Sequence, residues 1–371
     1  MTGVVEPRLD LKALTGIRGV AAWFVVLYHI RLSLGPNIPA EAGAILSRGY
    51  LAVDLFFMLS GFVLWLNYSE RLRADGLKAF PRFIGRRIAR IWPLHAFMLL
   101  VAVAFACLLV ALGKEPNAAW SELPLHILLV HNWGFTNGLA WNDPSWSISG
   151  EFAAYLLFPL LALAVDWRRL APETLILLVI LLAMTLHQIM AVTSATSLND
   201  NIAKLGIVRA LLEFAMGTIL CALWMHWRDG RRGAVLLALV PLALFLVLKA
   251  PSAPETAVAP ILLAALLFVV AVTAERAGNP LASRPIHYLG LISYSTYLVH
   301  FLLFAFFKIL FVREAFNLSV PLAALFLVLT FAASILLFHG LERPAQRALT
   351  AFFDARASRG HGRRAAAQPG A

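Results

Sequence analysis

The sequence predicts an all-α integral membrane protein with ten transmembrane helices. Of its 371 residues, 61% are hydrophobic and only 14% are charged, which is far more apolar than a soluble protein of this length. Many windows of about 18 residues are nearly free of charge, enough for a helix to cross a hydrocarbon core of roughly 30 Å. The basic residues behind the net charge of +11 lie in short segments between apolar runs. They therefore indicate membrane topology rather than a nucleic-acid partner.

The predicted spans follow the apolar runs along the chain. Each run can form a helix whose backbone groups are satisfied internally, as a spanning segment requires. In chain order the predicted spans are residues 13–34, 45–66, 91–112, 147–165, 173–192, 204–225, 234–249, 257–274, 288–311 and 319–340.

A further apolar segment, LPLHILLVHNW at 123–133, is too short to cross a membrane as a helix. The turn-rich sequence GFTNGLAWNDPS follows it. We therefore expect a re-entrant or interfacial segment between the third and fourth spans. This topology keeps most of the 31 Lys and Arg on one side, and the positive-inside rule then places both termini in the cytoplasm.

The chain divides into three predicted parts. Residues 1–12 form a cytoplasmic N-terminus without a cleavage site after a short apolar core, so the first span is expected to be retained. Residues 13–341 form the transmembrane domain. Residues 342–371 form a tail that is basic, rich in Ala and Gly and poor in apolar residues. We expect this tail to be disordered and to contact anionic lipid.

The first span, which contains TGIRGVAAWFVVLYHI, carries Arg18 and His29. Eleven residues of helix place them roughly 16 Å apart along the axis and only about 20° apart around it. Ionisable residues inside a span are costly unless they face a cavity or a partner. The pair therefore indicates one polar passage, with a cation at its inner mouth and a titratable base deeper in. Alternatively, Arg18 snorkels to lipid headgroups and His29 makes a core hydrogen bond.

Two carboxylates fall inside predicted spans near the depth of His29. Asp54, in GYLAVDLFFMLSGF, is a candidate to fix the histidine tautomer and stabilise the imidazolium, as the acid of a catalytic triad does. Glu151, in NDPSWSISGEF, is a candidate second acid or base, or a group that orients a hydroxyl near the histidine. The alternatives are a structural hydrogen bond for Asp54 and a helix-dipole interaction for Glu151.

Four arginines lie in PRFIGRRIARIWP at the inner edge of the third span. The i, i+4, i+8 spacing of three of them predicts one cationic stripe on a helix. Positive-inside anchoring explains such residues, but together with Arg18 they also fit a phosphorylated ligand, because Arg forks bind phosphate well. The four residues are Arg82, Arg86, Arg87 and Arg90.

Other polar side chains complete the expected site. We expect Arg209 and Glu213, spaced i, i+4, to neutralise one another. Glu342, in LERPAQR, is expected to contact the loop arginines. Motifs typical of metal sites, P-loops and serine hydrolases are missing from the sequence, so no metal is expected. The expected substrate-lining or pore-lining residues are Trp146, Ser147, Tyr294, Tyr297 and His300.

Taken together, these motifs resemble membrane-bound acyltransferase family 3, the O-acetyltransferases of bacterial surface carbohydrates. The motifs occur in family order across residues 10–345. The resemblance implies ten spans in the bacterial cytoplasmic (inner) membrane and transfer from a cytoplasmic acyl-CoA, usually acetyl-CoA, to a hydroxyl on the outer side. The residues that match the family's essential arginine and histidine, its arginine cluster and its glutamate are Arg18, His29, Arg86, Arg87, Arg90 and Glu151.

The resulting hypothesis is a membrane O-acetyltransferase. The CoA phosphates would lie at Arg18 and the arginine stripe, and the pantetheine arm would reach His29, which acts as general base or carries the acyl group. Asp54 or Glu151 would orient that histidine. The expected partners are lipid, acyl-CoA and a carbohydrate such as an exopolysaccharide or lipopolysaccharide, with a homo-oligomer or polysaccharide-assembly machinery also open. The rival hypotheses are a proton-coupled transporter that uses these groups and His300 as a relay, and a structural subunit of an export complex.

Overall fold

The computed structural model of the protein describes residues 11–227, 254–312 and 317–366. Within these ranges all regular secondary structure is helical. This follows from the apolar composition, because a helix satisfies its own backbone hydrogen bonds. The α-helices are α1 (Lys12–Leu34), α2 (Ala40–Leu46), α3 (Ala52–Asp75), α4 (Phe80–Ala111), α5 (Leu123–Ile127), α6 (Ser145–Ala164), α7 (Pro172–Val192), α8 (Ile202–Trp227), α9 (Glu255–Thr273), α10 (Arg284–Leu291), α11 (Ser293–Phe311), α12 (Val320–Leu337) and α13 (Arg343–Ala366).

Eight helical stretches in the described part of the chain are long and apolar enough to cross a membrane. One of them, residues 40–111, contains both α3 and α4, which a 3-10 turn at Gly76–Ala79 separates. The predicted span 234–249 lies outside the described residues. The all-helical membrane class is therefore confirmed, while the count of ten spans stays a prediction.

The segment between α4 and α6 forms no spanning helix. After the five residues of α5 the chain continues in turns as far as Ser145. Side chains of this segment attach it to the starts of α6 and α8. The indole of Trp133 donates to the carbonyl of Ser149 at 3.0 Å, and the amide of Asn132 donates to the carbonyl of Ile202 at 3.0 Å. Its placement at the membrane, re-entrant or interfacial, stays a prediction.

The centre of the bundle is the contact between α3 and α8, with α6 and α7 also packed on α8. Glycines allow two helix pairs to approach closely. A Cβ atom added to Gly61 of α3 would collide with the carbonyl of Phe214 on α8. Likewise, a Cβ atom on Gly290 of α10 would collide with the carbonyl of Thr15 on α1. Small residues favour such close packing in membranes, where the van der Waals contact between helices replaces hydrophobic driving force.

The ninth predicted span, 288–311, is interrupted in the structure. Helix α10 ends at Leu291, and α11 begins at Ser293. The hydroxyl of Ser293 donates to the carbonyl of Gly290 at 2.8 Å, which satisfies one acceptor at the end of α10. The break sets the start of α11 beside α1 and α4, where its hydroxyl groups line a cavity.

The tail that composition predicts to be disordered, residues 342–371, contains the helix α13 at Arg343–Ala366. The tail is polar enough to predict disorder, yet one face docks on α4. The ring of Phe353 fills the space beside Gly85, and Asp354 accepts hydrogen bonds from arginines of α4. Tertiary contacts therefore stabilise a helix that composition alone does not predict.

Candidate active site

A narrow cavity of about 140 Å³, lined by both charged and apolar side chains, lies inside the bundle. Side chains of α1, α3, α4, α6 and α11 form its walls. Three of the predicted arginines and the predicted glutamate meet there, although they come from separate helices. Its principal polar lining residues are Arg18, Arg87, Arg90, Ser147, Glu151 and Tyr297.

We name the two ends of the bundle by their side chains. The arginine end holds Arg18 on α1 and Arg86 and Arg90 on α4. The histidine end holds His29 on α1 and His300 on α11. Eleven residues of α1 separate Arg18 from His29, or roughly 16 Å of helix rise.

At the histidine end the two imidazole rings are in contact. Nδ1 of His29 lies 3.2 Å from Nε2 of His300, and the ring centroids are 4.9 Å apart. Nδ1 of His29 also lies 2.9 Å from the carbonyl oxygen of Val25, and Nδ1 of His300 lies 3.2 Å from that of Thr296. Since a carbonyl only accepts, these contacts assign the proton to Nδ1 in each neutral ring. The lone pair of His29 is therefore on Nε2.

Tyr297 connects the histidine end with the cavity. Its ring packs against His300 with centroids 6.0 Å apart, while its hydroxyl reaches the cavity wall. That hydroxyl lies 2.8 Å from the hydroxyl of Ser147 and 3.0 Å from the carbonyl of Pro144. The hydrogen-bonded pair of Tyr297 and Ser147 thus stands between the narrow cavity and the two histidines.

Two further expected lining residues have different surroundings. Tyr294 does line the cavity, where its hydroxyl donates to the carbonyl of Ile91 at 2.6 Å. Trp146 is buried, its ring 5.8 Å from that of Phe57, with the guanidinium of Arg209 5.2 Å from its centroid. Trp146 therefore packs beside the cavity wall instead of forming it.

The predicted contact of Glu151 with the histidine is wrong. Its carboxylate accepts a hydrogen bond from Ser60 at 2.7 Å and one from Tyr155, and it lies in the cavity with Arg18 and Arg87. The reason is the position of Glu151 along α6. It lies six residues beyond the first residue of the helix, which is about 9 Å along the helix axis. The partner Tyr155 is four residues further along α6, and that i, i+4 spacing was readable from the sequence.

Asp54 does not contact His29 either. Nε and Nη2 of Arg209 form a fork on its carboxylate, with Nη2 2.5 Å from Oδ2. Both side chains are almost fully buried, 1% exposed for Arg209 and 0% for Asp54. The expected pairing of Arg209 with Glu213 is therefore wrong as well. A bidentate fork between α3 and α8 has better geometry than a contact along one helix.

The predicted arginine stripe lies on α4, but acidic side chains of the protein already pair with most of its arginines. Asp354 accepts from Nε of Arg82 at 2.9 Å and from Nη2 of Arg86 at 2.6 Å. Arg90 pairs with Glu342, which confirms that this glutamate contacts the arginines. Arg87 donates to the hydroxyl of Tyr68 at 3.0 Å. No local sequence signal joins Asp354 to residues some 270 positions earlier in the chain.

Outside the predicted spans, the loop before α6 holds a half-buried acid, Asp143. Burial raises the pKa of Asp143 to about 6. Its carboxylate accepts one long hydrogen bond, 3.3 Å, from the amide of Asn117. In the described ranges no group of three or more His, Cys, Asp or Glu is arranged to hold a metal ion.

The family model described as an acyltransferase domain matches residues 11–339. Acyltransferase MdmB of Streptomyces mycarofaciens is 36% identical over 162 residues, which are 42% of this chain and 40% of that protein. Protein 2 in picA locus of Rhizobium radiobacter is 45% identical over 98 residues, 26% of this chain and 47% of that protein.

A third relative is the O-acetyltransferase OatA of Staphylococcus aureus, 25% identical over 227 residues, which are 59% of this chain and 35% of that protein. The matched part of this chain thus spans less than half the length of each of these curated relatives. No solved structure matches the chain significantly.

Proposed function

The chain belongs to the acyltransferase family whose model covers residues 11–339, and from this premise we propose that it is a membrane O-acyltransferase. It moves an acyl group, acetyl in the first instance, from acyl-CoA to a hydroxyl of a surface or exported carbohydrate. A sugar of an exopolysaccharide or lipopolysaccharide is the proposed acceptor. The name of the relative OatA supports O-acetyl transfer as the reaction.

The proposed location is the bacterial cytoplasmic membrane, with the arginine end and both termini in the cytoplasm. The basic residues concentrate in the segments at the arginine end, as the positive-inside rule requires of cytoplasmic loops. An anionic donor made in the cytoplasm then meets the arginines, and an exported carbohydrate meets the histidines.

One observation carries the proposal, namely that Arg18 lines the cavity while His29, on the same helix, contacts His300, whose ring packs on the cavity residue Tyr297. The cavity beside Arg18 leads to Tyr297, whose ring packs on His300, and His300 holds His29. The roughly 16 Å of helix between Arg18 and His29 suits an extended arm that carries a thioester from one to the other.

In the proposed reaction Nε2 of His29 takes the proton of the acceptor hydroxyl. The hydroxyl oxygen attacks the thioester carbonyl, and a C–O bond forms. The C–S bond then breaks, and the CoA thiolate leaves with the proton that the His29 imidazolium returns. General base catalysis of this kind contributes about 10²–10⁴-fold to the rate. The carbonyl of Val25 and Nε2 of His300 together keep the Nδ1 proton of His29 in place and so maintain the basic nitrogen.

Glu151 has a different proposed role, at the arginine end. Its carboxylate is held by Ser60 and Tyr155 and faces the cationic wall of the cavity. A fixed negative charge there balances Arg18 and Arg87, which would otherwise repel one another in a low-dielectric interior. Glu151 is thus a positioning residue for the arginines that guide the donor.

The test uses the purified full-length protein in vesicles, with labelled acetyl-CoA on one side and the carbohydrate on the other. We expect label in an alkali-labile ester of the carbohydrate. His29→Ala should abolish it, whereas His226→Ala, which removes an exposed histidine at the end of α8, should retain it. Full activity in a well-folded His29→Ala protein would remove His29 from the mechanism. Flux of carbohydrate without ester would favour the transporter instead.

Direct transfer and transfer through an acyl-histidine are separated by omitting the acceptor. Under direct transfer the protein carries no label after rapid quenching. Label that stays on the wild-type chain and is lost in His29→Ala would establish a two-step reaction through His29.

A further inference from the structure

A second, wider cavity of about 730 Å³ opens at the arginine end. Side chains and backbone of α1, α4, α10 and α13 surround it, so the C-terminal helix forms one of its walls. Its size falls in the range of about 300–1,000 Å³ that is typical of small-molecule sites. The lining residues used below are Arg18, Arg90, Arg343, Arg347 and Asp354.

The two cavities share part of their lining. Arg18 and Arg90 each contribute to the narrow cavity and to the wide one. A ligand with a bulky anionic head and a thin arm would therefore place its head in the wide cavity and pass its arm between these arginines. The volumes, about 730 and 140 Å³, match that division between head and arm.

The arginines that line the wide cavity differ in whether an acidic side chain of the protein already pairs with them. Arg90 is paired with the buried carboxylate of Glu342. The carboxylate of Asp354 is engaged by Arg86 from outside this cavity. By contrast, no acid in the part of the chain that the structure describes lies within ion-pair distance of Arg18, Arg343 or Arg347. Every ion pair found there involves other residues.

The spacing of the two arginines on α13 adds to this charge. Arg343 and Arg347 are i, i+4 on one helix, and both are exposed toward the cavity opening. Neighbouring like charges on a helix destabilise it slightly unless an anion bridges them. Arg forks suit phosphate oxygens in particular, because their donors match that geometry.

We propose that the wide cavity binds the phosphate groups of the acyl-CoA donor, and that Arg343 and Arg347 of the C-terminal helix hold them together with Arg18. Arg82 and Arg86, which sequence reasoning assigned to this task, are instead neutralised by Asp354 and fasten α13 to α4. The inference rests on the proposed function, since it takes acyl-CoA as the donor. It assigns a binding role to a helix that begins four residues beyond the matched acyltransferase region.

The experiment measures binding by calorimetry on the full-length protein in nanodiscs of phosphatidylcholine. The probes are acetyl-CoA and adenosine 3′,5′-bisphosphate, which has the phosphates without the thioester arm. Arg347→Gln and Arg343→Gln should each weaken binding of both probes by about tenfold, the usual order for one lost charge-assisted contact. Arg347→Lys should recover part of the loss, because it restores the charge without the fork.

The matched control is Arg356→Gln. It makes the same charge change on the same helix, at an exposed position that lines neither cavity. We expect Arg356→Gln to bind both probes with an affinity within about twofold of the wild type, since an exposed charge outside the cavity is largely screened. Equal losses in Arg356→Gln and Arg347→Gln would mean a nonspecific charge effect and would overturn the assignment.

The remaining outcomes are also decisive. If the wild type binds acetyl-CoA and Arg343→Gln and Arg347→Gln bind it equally well, the inference fails and the proposed function stands. If the wild type binds neither probe, the proposed function fails as well. A lipid phosphate shares this chemistry, so the binding is repeated with phosphatidylglycerol in the nanodiscs. Variants that change lipid retention while leaving acetyl-CoA affinity intact would assign the cavity to lipid and overturn the inference.

Discussion

Nδ1 of His29 lies 3.2 Å from Nε2 of His300, although 271 residues separate them in the chain. The contact joins α1 to α11, so the side chain beside Nδ1 of His29 is a histidine, where a carboxylate was expected, and the carbonyl of Val25 fixes the tautomer. Asp54 and Glu151, the two acids considered for that task, are each engaged elsewhere. An imidazole acceptor adds no negative charge, so an imidazolium formed during transfer gains less stabilisation than it would from a carboxylate.

His300 is expected to matter through this one nitrogen. His300→Phe keeps a planar ring but removes one of the two acceptors near Nδ1–H of His29, the carbonyl of Val25 being the other. We therefore expect kcat for acyl transfer to fall by about tenfold, which is less than the 10²–10⁴-fold worth of a general base. The KM for the donor should change little, because the arginine end is untouched. His300→Gln, which offers an amide acceptor, should recover part of kcat. Equal losses in both variants would show that packing, not the nitrogen, matters.

Glu151 offers a test of which end of the route it serves. Glu151→Gln keeps an oxygen for Ser60 and Tyr155 but removes the negative charge among the arginines. We expect the KM for the donor to change several-fold, while the pH dependence of kcat stays that of the wild type because His29 is unaffected. A shifted pH profile with an unchanged KM would place Glu151 back with the histidine.

The buried fork between Asp54 and Arg209 should govern stability. Asp54→Asn leaves a buried guanidinium without its charge partner and should lower the free energy of unfolding by about 3–5 kcal/mol. The control is Asp75→Asn, which breaks an ion pair to Arg71 that is 51% exposed on both sides and should cost less than about 1 kcal/mol. Thermal denaturation in detergent measures both. A double variant, Asp54→Leu with Arg209→Met, should be more stable than Asp54→Asn, since it removes the orphaned charge.

Asp143 predicts a pH dependence of stability outside the spans. Burial raises its pKa to about 6 from 3.8, so the folded protein holds the proton more tightly than the unfolded chain. Stability therefore falls as pH rises between about 4 and 6, and the penalty is complete above pH 6. Asp143→Asn should raise the unfolding midpoint at pH 7.5, with a gain that shrinks as the pH is lowered through that window.

Asp200 serves as a control, because its pKa is shifted in the opposite direction to that of Asp143. Its carboxylate accepts from the backbone N–H of Ser197 at 2.9 Å and of Thr196 at 2.8 Å, and the first of these bonds is the main cause of its lowered pKa. Its stabilisation is present above the unfolded pKa and is lost as the pH falls. Asp200→Asn should therefore lower the unfolding midpoint at pH 7.5. A gain in both variants would contradict this account of Asp143.

Much of the arrangement was predictable from local pattern. Apolar run length predicted helical membrane segments at α1, α6, α7, α8 and α9, because a span must satisfy its own backbone and exclude charge. The i, i+11 spacing of Arg18 and His29 predicted two ends of one helix face. Arg18, Arg87 and Arg90, which were expected to lie together, line one cavity, and Glu151, which was expected near His29, lines it as well.

The partner of each charged group was decided by tertiary structure alone. The sequence places a glutamate four residues from Arg209, but in the structure Arg209 donates two hydrogen bonds to Asp54 of the neighbouring helix α3. Composition predicted a disordered tail, but Phe353 and Asp354 of that tail contact residues of α4. Periodicity is a property of one helix and is written in the chain, whereas the pairing of buried charges depends on distances between helices, which no local spacing encodes.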